Sequence, residues 1–96
     1  IRDRVRKLLR LPAAKLRPHP RNWRVHPPAQ REHLAAALRE IGLADALLVR
    51  PLPGGQYEIL DGHLRADLLP DQLIPCLVLD LDESESLTLL ATLDPL

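Results

Sequence analysis

The chain has 96 residues, with 13 basic and 13 acidic side chains and 46% hydrophobic residues, a composition that is typical of one small globular domain and excludes a disordered tail. No apolar run approaches the ~20 residues that a membrane span requires. The single cysteine excludes a disulfide framework within the chain and a zinc site built on cysteines, and it favours a reducing compartment, the cytoplasm.

Charge is divided unevenly along the chain. Residues 1–50 hold 12 of the 13 basic side chains and 4 acidic ones, whereas residues 51–96 hold 9 acidic side chains and Arg65 as their one cation. Two interpretations stay open. Either the basic half attracts a polyanion, such as nucleic acid or nucleotide phosphates, or the two halves attract each other within the fold.

The first segment of the chain is basic. Its apolar residues stand at helix-like spacing among five basic side chains, which predicts a short helix over residues 2–10. We therefore interpret residues 1–12 as a basic N-terminal helix or extension and residues 13–96 as the domain proper.

A proline-rich segment follows, and its prolines exclude a continuous helix. Residues 14–18 predict a short edge strand that leads into a loop over residues 19–27. In this loop Arg21 and Arg24 flank Trp23, an arrangement suited to closing over phosphates or to stacking on a nucleobase. The alternative is that Trp23 plugs the space beneath the loop.

Regular elements occupy the middle of the chain. Apolar positions from Leu34 to Ile41 recur on one helical face and predict a helix over residues 29–41, with Gly42 as its stop. A hairpin follows, formed by strands over residues 46–50 and 56–60 around a turn of proline and glycine.

The pattern then changes from strand to helix over residues 61–69, with Asp61 placed to cap the helix and Gly62 to allow the turn. A strand over residues 74–79 and a last helix from residue 82 to Pro95 complete the elements. The acidic first turn of that helix either binds Mg²⁺ or complements the helix dipole.

The junction between the strand and the second helix contains the strongest candidates for binding residues. Unpaired amides at a helix start favour an anion, and Arg65 lies one turn beyond Gly62, where its guanidinium would reach the same anion. His63 would stand beside that anion as an acid or base, or it is only a surface residue. The competing interpretation pairs Arg65 with Asp61 or Asp67.

Other chemistry is disfavoured. Cys76 lies in an apolar strand, where a thiol is usually inert. Ser84 and Ser86 lack the histidine and aspartate that would activate a nucleophile.

In this order the landmarks resemble the ParB/sulfiredoxin superfamily, specifically the ParB-like N-terminal domain that is often labelled ParB-like nuclease. The resemblance covers residues 13–96 and implies a single α/β (α+β) domain in which helices pack around a small mixed sheet. It is carried by colinear motifs: the proline and arginine loop at 18–24, the helix at 31–41 with its Gly42-Leu43 end, the strand at 47–50, the strand and turn at 57–66, and the strand at 74–80.

The resemblance implies phosphate-binding roles for Gly62 and Arg65. Partition proteins that use CTP carry Gly-Glu-Arg-Arg in this segment, which reads Gly-His-Leu-Arg here, so His63 replaces the glutamate implicated in nucleotide turnover. Arg21 and Arg24 are similar to the family's loop that closes over the nucleotide. Near the C-terminus, Asp94 falls close to the family's metal-coordinating asparagine.

Three functions are therefore weighed. The first is a module of a larger DNA-associated protein, in a partition or DNA-modification context, which binds a nucleotide (CTP, ATP or ADP with Mg²⁺) and reaches DNA through a fused or partner domain. The second is a phosphotransferase or nuclease that uses His63 as acid or base and Asp94 with Asp61 to place Mg²⁺. The third is a ligand-free domain whose basic half contacts DNA. Enzymatic turnover and a homodimer are left open, and no membrane partner is expected.

Overall fold

The computed structural model describes residues 1–20 and 27–93. A five-stranded mixed sheet forms its centre, in the order β1-β5-β3-β4-β2. The pairs β1–β5 and β3–β4 are antiparallel, whereas β3–β5 and β2–β4 are parallel. The strands are β1 (Val5–Leu11), β2 (Leu16–Pro18), β3 (Leu47–Pro51), β4 (Tyr57–Asp61) and β5 (Ile74–Leu79).

Three α-helices accompany the sheet: α1 (Pro28–Glu40), α2 (His63–Leu68) and α3 (Glu83–Leu93). Short 3₁₀ turns at Ala13–Lys15 and Pro53–Gly55 connect strands. Within the described part of the chain, every helix is too short or too polar to cross a bilayer.

The main cluster of the hydrophobic core is centred on the middle of the sheet. Its centre is formed by the parallel neighbours β3 and β5, whose side chains at Leu47, Val49, Ile74 and Cys76 are fully buried. Burying each of the aliphatic side chains contributes about 1.5–3 kcal/mol, so these short strands supply much of the stability of a core without phenylalanine or methionine.

The predicted helix over residues 2–10 is wrong. This segment contains strand β1, which pairs antiparallel with β5 and places Leu9 opposite Cys76 and Leu11 opposite Ile74. Because Leu9 and Leu11 are two residues apart, a strand directs both to the core face, and Leu11 is buried. A short apolar run fits the period of a helix as well as that of a strand, and the partner strand more than 60 residues away decides between the two.

Within the described residues the other predicted helices and strands are confirmed, with corrections. The predicted edge strand over residues 14–18 is shorter, since Ala13–Lys15 form a 3₁₀ turn and β2 covers Leu16–Pro18. Most of the predicted loop over residues 19–27, and the predicted helix end at Pro95, lie outside the described residues.

Helix α1 begins with Pro28 in its first turn and ends at Glu40, and Gly42, which follows the C-cap residue Ile41, has a φ of +95° that suits a residue after a helix. Ile41, predicted on the buried face, is 77% exposed because it lies at the helix end beyond the sheet. Asp61 does not cap α2: the N-cap residue is Gly62, without a side-chain hydrogen bond.

Ion pairs join the basic and acidic halves of the chain. Arg4 binds Glu85 at 2.8 Å and Arg6 binds Asp80 at 2.6 Å, which ties β1 to the start of α3. The interpretation that the two halves attract each other within the fold is therefore correct for these side chains. Further pairs across the halves are Arg50–Glu58 and Arg65–Asp45.

The acidic first turn of α3 is explained by helix capping. The Glu85 amide donates to Asp82 Oδ1 at 2.8 Å, and the Asp82 amide donates to Glu85 Oε1 at 3.0 Å, a reciprocal capping box. Together with Arg4, this arrangement lowers the pKa of Glu85 to about 2. These carboxylates are thus used structurally, which supports dipole complementation over Mg²⁺ binding.

Candidate functional site

A cavity of about 250 Å³ opens where β4 turns into α2. One wall is the chain from Asp61 to Arg65, and the other is the first half of α1, represented by Gln30 and Leu34. The predicted anion-binding segment therefore faces a hollow and is not covered by the core.

Gly62 forms the tightest point of this wall. Its φ of +100° belongs to the left-handed region, which side chains with a β-carbon rarely adopt. A β-carbon at this position would overlap Leu47 Cδ2 and lie 2.9 Å from Arg65 Nη2. Glycine is therefore required both by the backbone and by the close approach of the guanidinium.

Arg65 lies at the edge of the cavity with most of its side chain buried. Its Nη1 is 3.5 Å from Asp45 Oδ2, a long contact to a carboxylate that is 64% exposed. The predicted alternative pairing with Asp61 or Asp67 is not the one that forms. Arg65 Nε is buried and has no hydrogen-bond partner among the described residues. The guanidinium thus keeps donors available for an anion.

His63 is linked to a buried polar chain behind the cavity. The backbone amide of His19 donates to His63 Nε2 at 3.4 Å, which assigns Nε2 as the acceptor and places the proton of a neutral ring on Nδ1. The His19 imidazole is buried, and its Nε2 lies 3.7 Å from Glu58 Oε1. Glu58 in turn accepts from Arg50 Nε at 2.8 Å.

Sequence reasoning missed this chain of contacts. Glu58 and Arg50 lie directly opposite each other on β4 and β3, a cross-strand register that the predicted hairpin already contained. Their charges on neighbouring strands were the available signal. The contact with His19 depends on the parallel pairing of β2 with β4, which local patterns do not reveal.

Comparison with known proteins places this geometry in a fold family. No family model matches the chain. The chromosome-partitioning protein Spo0J of Thermus thermophilus is 41% identical over 86 residues, covering 85% of this chain and 32% of Spo0J. The chain therefore spans about a third of that relative's length.

Solved structures agree with this relationship. ParB from Caulobacter crescentus, C-terminally truncated and complexed with CTP-γ-S, superposes with a TM-score of 0.74 at 27% identity over 88% of this chain and 50% of that one. The same protein bound to the centromeric parS site gives a TM-score of 0.63 at 27% identity, covering 79% of this chain and 41% of that one. Sulfiredoxin from Arabidopsis thaliana gives 0.67 at 22% identity, over 90% of this chain and 98% of that one.

The domain has the ParB/sulfiredoxin-like fold. This confirms the resemblance seen in the sequence and the single α/β domain with a small mixed sheet that it implied.

Several predicted site residues of this ParB/sulfiredoxin-like domain are brought together. Gly62, His63 and Arg65 line one cavity with Asp61. Arg21 and Arg24 of the predicted closing loop lie outside the described residues, as does Asp94 of the predicted metal site. Their roles stay predictions.

The described part of the domain contains neither a cluster of metal ligands nor an activated nucleophile. Over residues 1–20 and 27–93, no group of three or more His, Cys, Asp or Glu side chains could hold a metal ion. Cys76 is fully buried, and burial raises the pKa of its thiol to about 11, so the thiolate is scarce near neutral pH. Ser86 is also buried, and its hydroxyl donates to the Asp82 carbonyl.

Proposed function

We propose that this domain binds a nucleotide through its phosphates in the cavity between α2 and α1. The observation that carries the proposal is Arg65, whose guanidinium lies in the cavity wall with a buried Nε that lacks a hydrogen-bond partner among the described residues. An anion in the cavity would accept hydrogen bonds from the Nη groups of this guanidinium, whose contact with Asp45 is long at 3.5 Å.

The chemistry of the wall suits phosphate oxygens. A guanidinium presents several N–H groups in a planar fork that matches phosphate. Beside it, Gly62 at the start of α2 also lines the cavity. The exposed Asp45 is held at 3.5 Å, a contact weak enough for a phosphate to displace.

The relatives support a nucleotide as the source of the phosphates. The Caulobacter ParB structure holds CTP-γ-S, and a second structure of that protein holds the parS site. We therefore assign CTP as the first nucleotide to test, with ATP and ADP as comparisons, and place the domain within a larger DNA-associated protein. DNA would then be contacted through a fused or partner domain.

The proposed module binds its nucleotide without rapid turnover. His63 stands where CTP-using partition proteins carry a glutamate, and its Nε2 already accepts the His19 amide. Asp61 is the described carboxylate in the cavity wall, so Mg²⁺ would enter chiefly through the triphosphate oxygens. Phosphate contacts from Arg21 and Arg24, and metal contact from Asp94, remain part of the proposal.

Calorimetry with CTP and Mg²⁺ tests the site on the native protein and on Arg65→Ala. A charge-assisted hydrogen bond contributes about 1.5–3 kcal/mol, so the substitution should weaken CTP binding by about 10- to 150-fold. Arg39→Ala is the matched control, because Arg39 is an exposed arginine in the last turn of α1. Cytidine should not bind measurably.

Two results would contradict the proposal. One is an unchanged CTP affinity in folded Arg65→Ala, and the other is cytidine binding as tightly as CTP. Release of inorganic phosphate, measured in the same samples, reports turnover separately from binding.

A further inference from the structure

The outer edge of β1 is a second surface of this domain. β1 lies at one end of the strand order, and among the described residues β5 is its one partner strand. From Lys7 to Leu11 it runs in regular register with β5, because the one irregularity lies between Val5 and Lys7. Alternate N–H and C=O groups of this strand therefore point away from the sheet, and an added strand could pair with them.

The charges on this edge are positive and are only partly neutralised within the chain. Arg6 is paired with Asp80 at 2.6 Å. Lys7 and Arg10 are exposed and form no ion pair with the described residues. The strand contains three basic side chains and no acidic one. The positive electrostatic potential of this strand therefore favours an acidic partner.

The same edge exposes apolar side chains. Val5 and Leu8 are 45% and 48% exposed, large fractions for residues in a strand. At the N-terminal end of β1, beside Arg4, lies a groove of about 460 Å³ whose lining includes Leu79 and Leu89. A partner strand that pairs with the backbone would lie beside these side chains, and acidic residues on both of its faces would meet Lys7 on one face of β1 and Arg10 on the other.

A second copy of this chain fits the edge poorly. Antiparallel pairing of two β1 strands centred on Leu8 sets Arg6 of each copy opposite Arg10 of the other. Parallel pairing in register sets Lys7 beside Lys7. Like charges directly across a strand pair are destabilising, so the basic residues protect the edge from self-association.

We propose that the β1 edge binds an extended acidic segment of a partner protein by strand addition. The bound segment becomes a sixth strand of the sheet, with carboxylates on both of its faces, against Lys7 on one face and Arg10 on the other. This surface is separate from the cavity at Gly62, so the proposal does not depend on nucleotide binding.

A synthetic heptapeptide Val-Glu-Glu-Val-Glu-Glu-Val, labelled with fluorescein, tests the proposal by fluorescence anisotropy, because its glutamates three residues apart lie on opposite faces of the strand, as Lys7 and Arg10 do. We expect saturable binding that weakens by about tenfold or more in the double variant Lys7→Glu/Arg10→Glu. The matched control is Lys15→Glu/Arg39→Glu, which makes the same change in charge at two exposed positions away from β1 and should bind as the native protein does. Amide hydrogen exchange should slow at alternate residues of β1 when the peptide is bound.

A peptide with N-methyl groups on alternate amides separates strand addition from simple charge attraction. Methylation on the edge that faces β1 should abolish binding, since it removes the donors of the added strand. The proposal is overturned if neither of the two peptides, each methylated on one edge, loses binding, if the control variant loses as much affinity, or if the peptide does not bind. Random duplex DNA that binds in place of the peptide, with loss in the β1 variant, would assign this edge to nucleic acid and also overturn the proposal.

Discussion

Replacing Gly62 with alanine tests the most constrained point of the cavity wall. Two costs add at this position. A left-handed φ of +100° costs a residue with a β-carbon about 1–2 kcal/mol. The new methyl group would also overlap Leu47 Cδ2, and because Leu47 is fully buried, relieving the overlap forces the core to shift at about 1–3 kcal/mol.

We therefore expect Gly62→Ala to lower the free energy of unfolding by about 2–5 kcal/mol, a large fraction of the roughly 5–14 kcal/mol available to a domain of this size. Gly42→Ala is a matched control, since Gly42 has a φ of +95° and open space within 4 Å. It should lose only the backbone cost of about 1–2 kcal/mol. Urea titration followed by circular dichroism measures both variants.

Equal losses for the two variants would refute the steric argument. They would mean that Leu47 moves without cost or that the backbone conformation alone sets the need for glycine. The difference between the two free energies, and not either value alone, is the quantity that decides.

Further predictions concern the ion pairs. Because Arg4 and the Asp82 amide lower the pKa of Glu85 from 4.5 to about 2, its contribution to stability should be complete above pH 4.5 and lost as the pH falls toward 2. Thermal unfolding across this range should show a shallower pH dependence in Glu85→Gln, and an unchanged slope would contradict the pairing. Glu58→Gln leaves the buried Arg50 and His19 without their carboxylate and should cost about 3 kcal/mol in urea titrations. Asp80→Asn, which breaks the exposed pair with Arg6, should cost less than about 1 kcal/mol, and equal losses would contradict the role of burial.

The cavity wall could be predicted from the sequence because its parts are close together along the chain. The strand ending at Asp61, the turn at Gly62 and the arginine three residues on form one local unit, and local patterns indicate it directly. The opposite wall could not be predicted in this way. Gln30 and Leu34 reach the cavity through the packing of α1 against α2, which no spacing within either helix encodes.

The distribution of charge could be predicted from the sequence, whereas the ion pairs depend on contacts between distant residues. The split into a basic and an acidic half was visible at once, but not which cations would be neutralised within the fold. Arg4 and Arg6 meet Glu85 and Asp80 only because β1 pairs with β5, across more than 70 residues of chain. Lys7 lies on the same strand but has no ion-pair partner among the described residues. The position in the strand pairing, and not the type of residue, decides that Arg6 is neutralised and Lys7 is not.

Local patterns were enough to predict strands β3 to β5, the main helices and the glycine turn that begins α2, because side-chain period and backbone freedom act over a few residues. Tertiary structure alone decided that the first segment is a strand, that Arg65 meets Asp45 and that Glu58 joins Arg50 to His19. In each of these cases the energy comes from a partner distant in sequence or on a neighbouring strand. A short segment takes the conformation that satisfies that partner, even where its own pattern fits another.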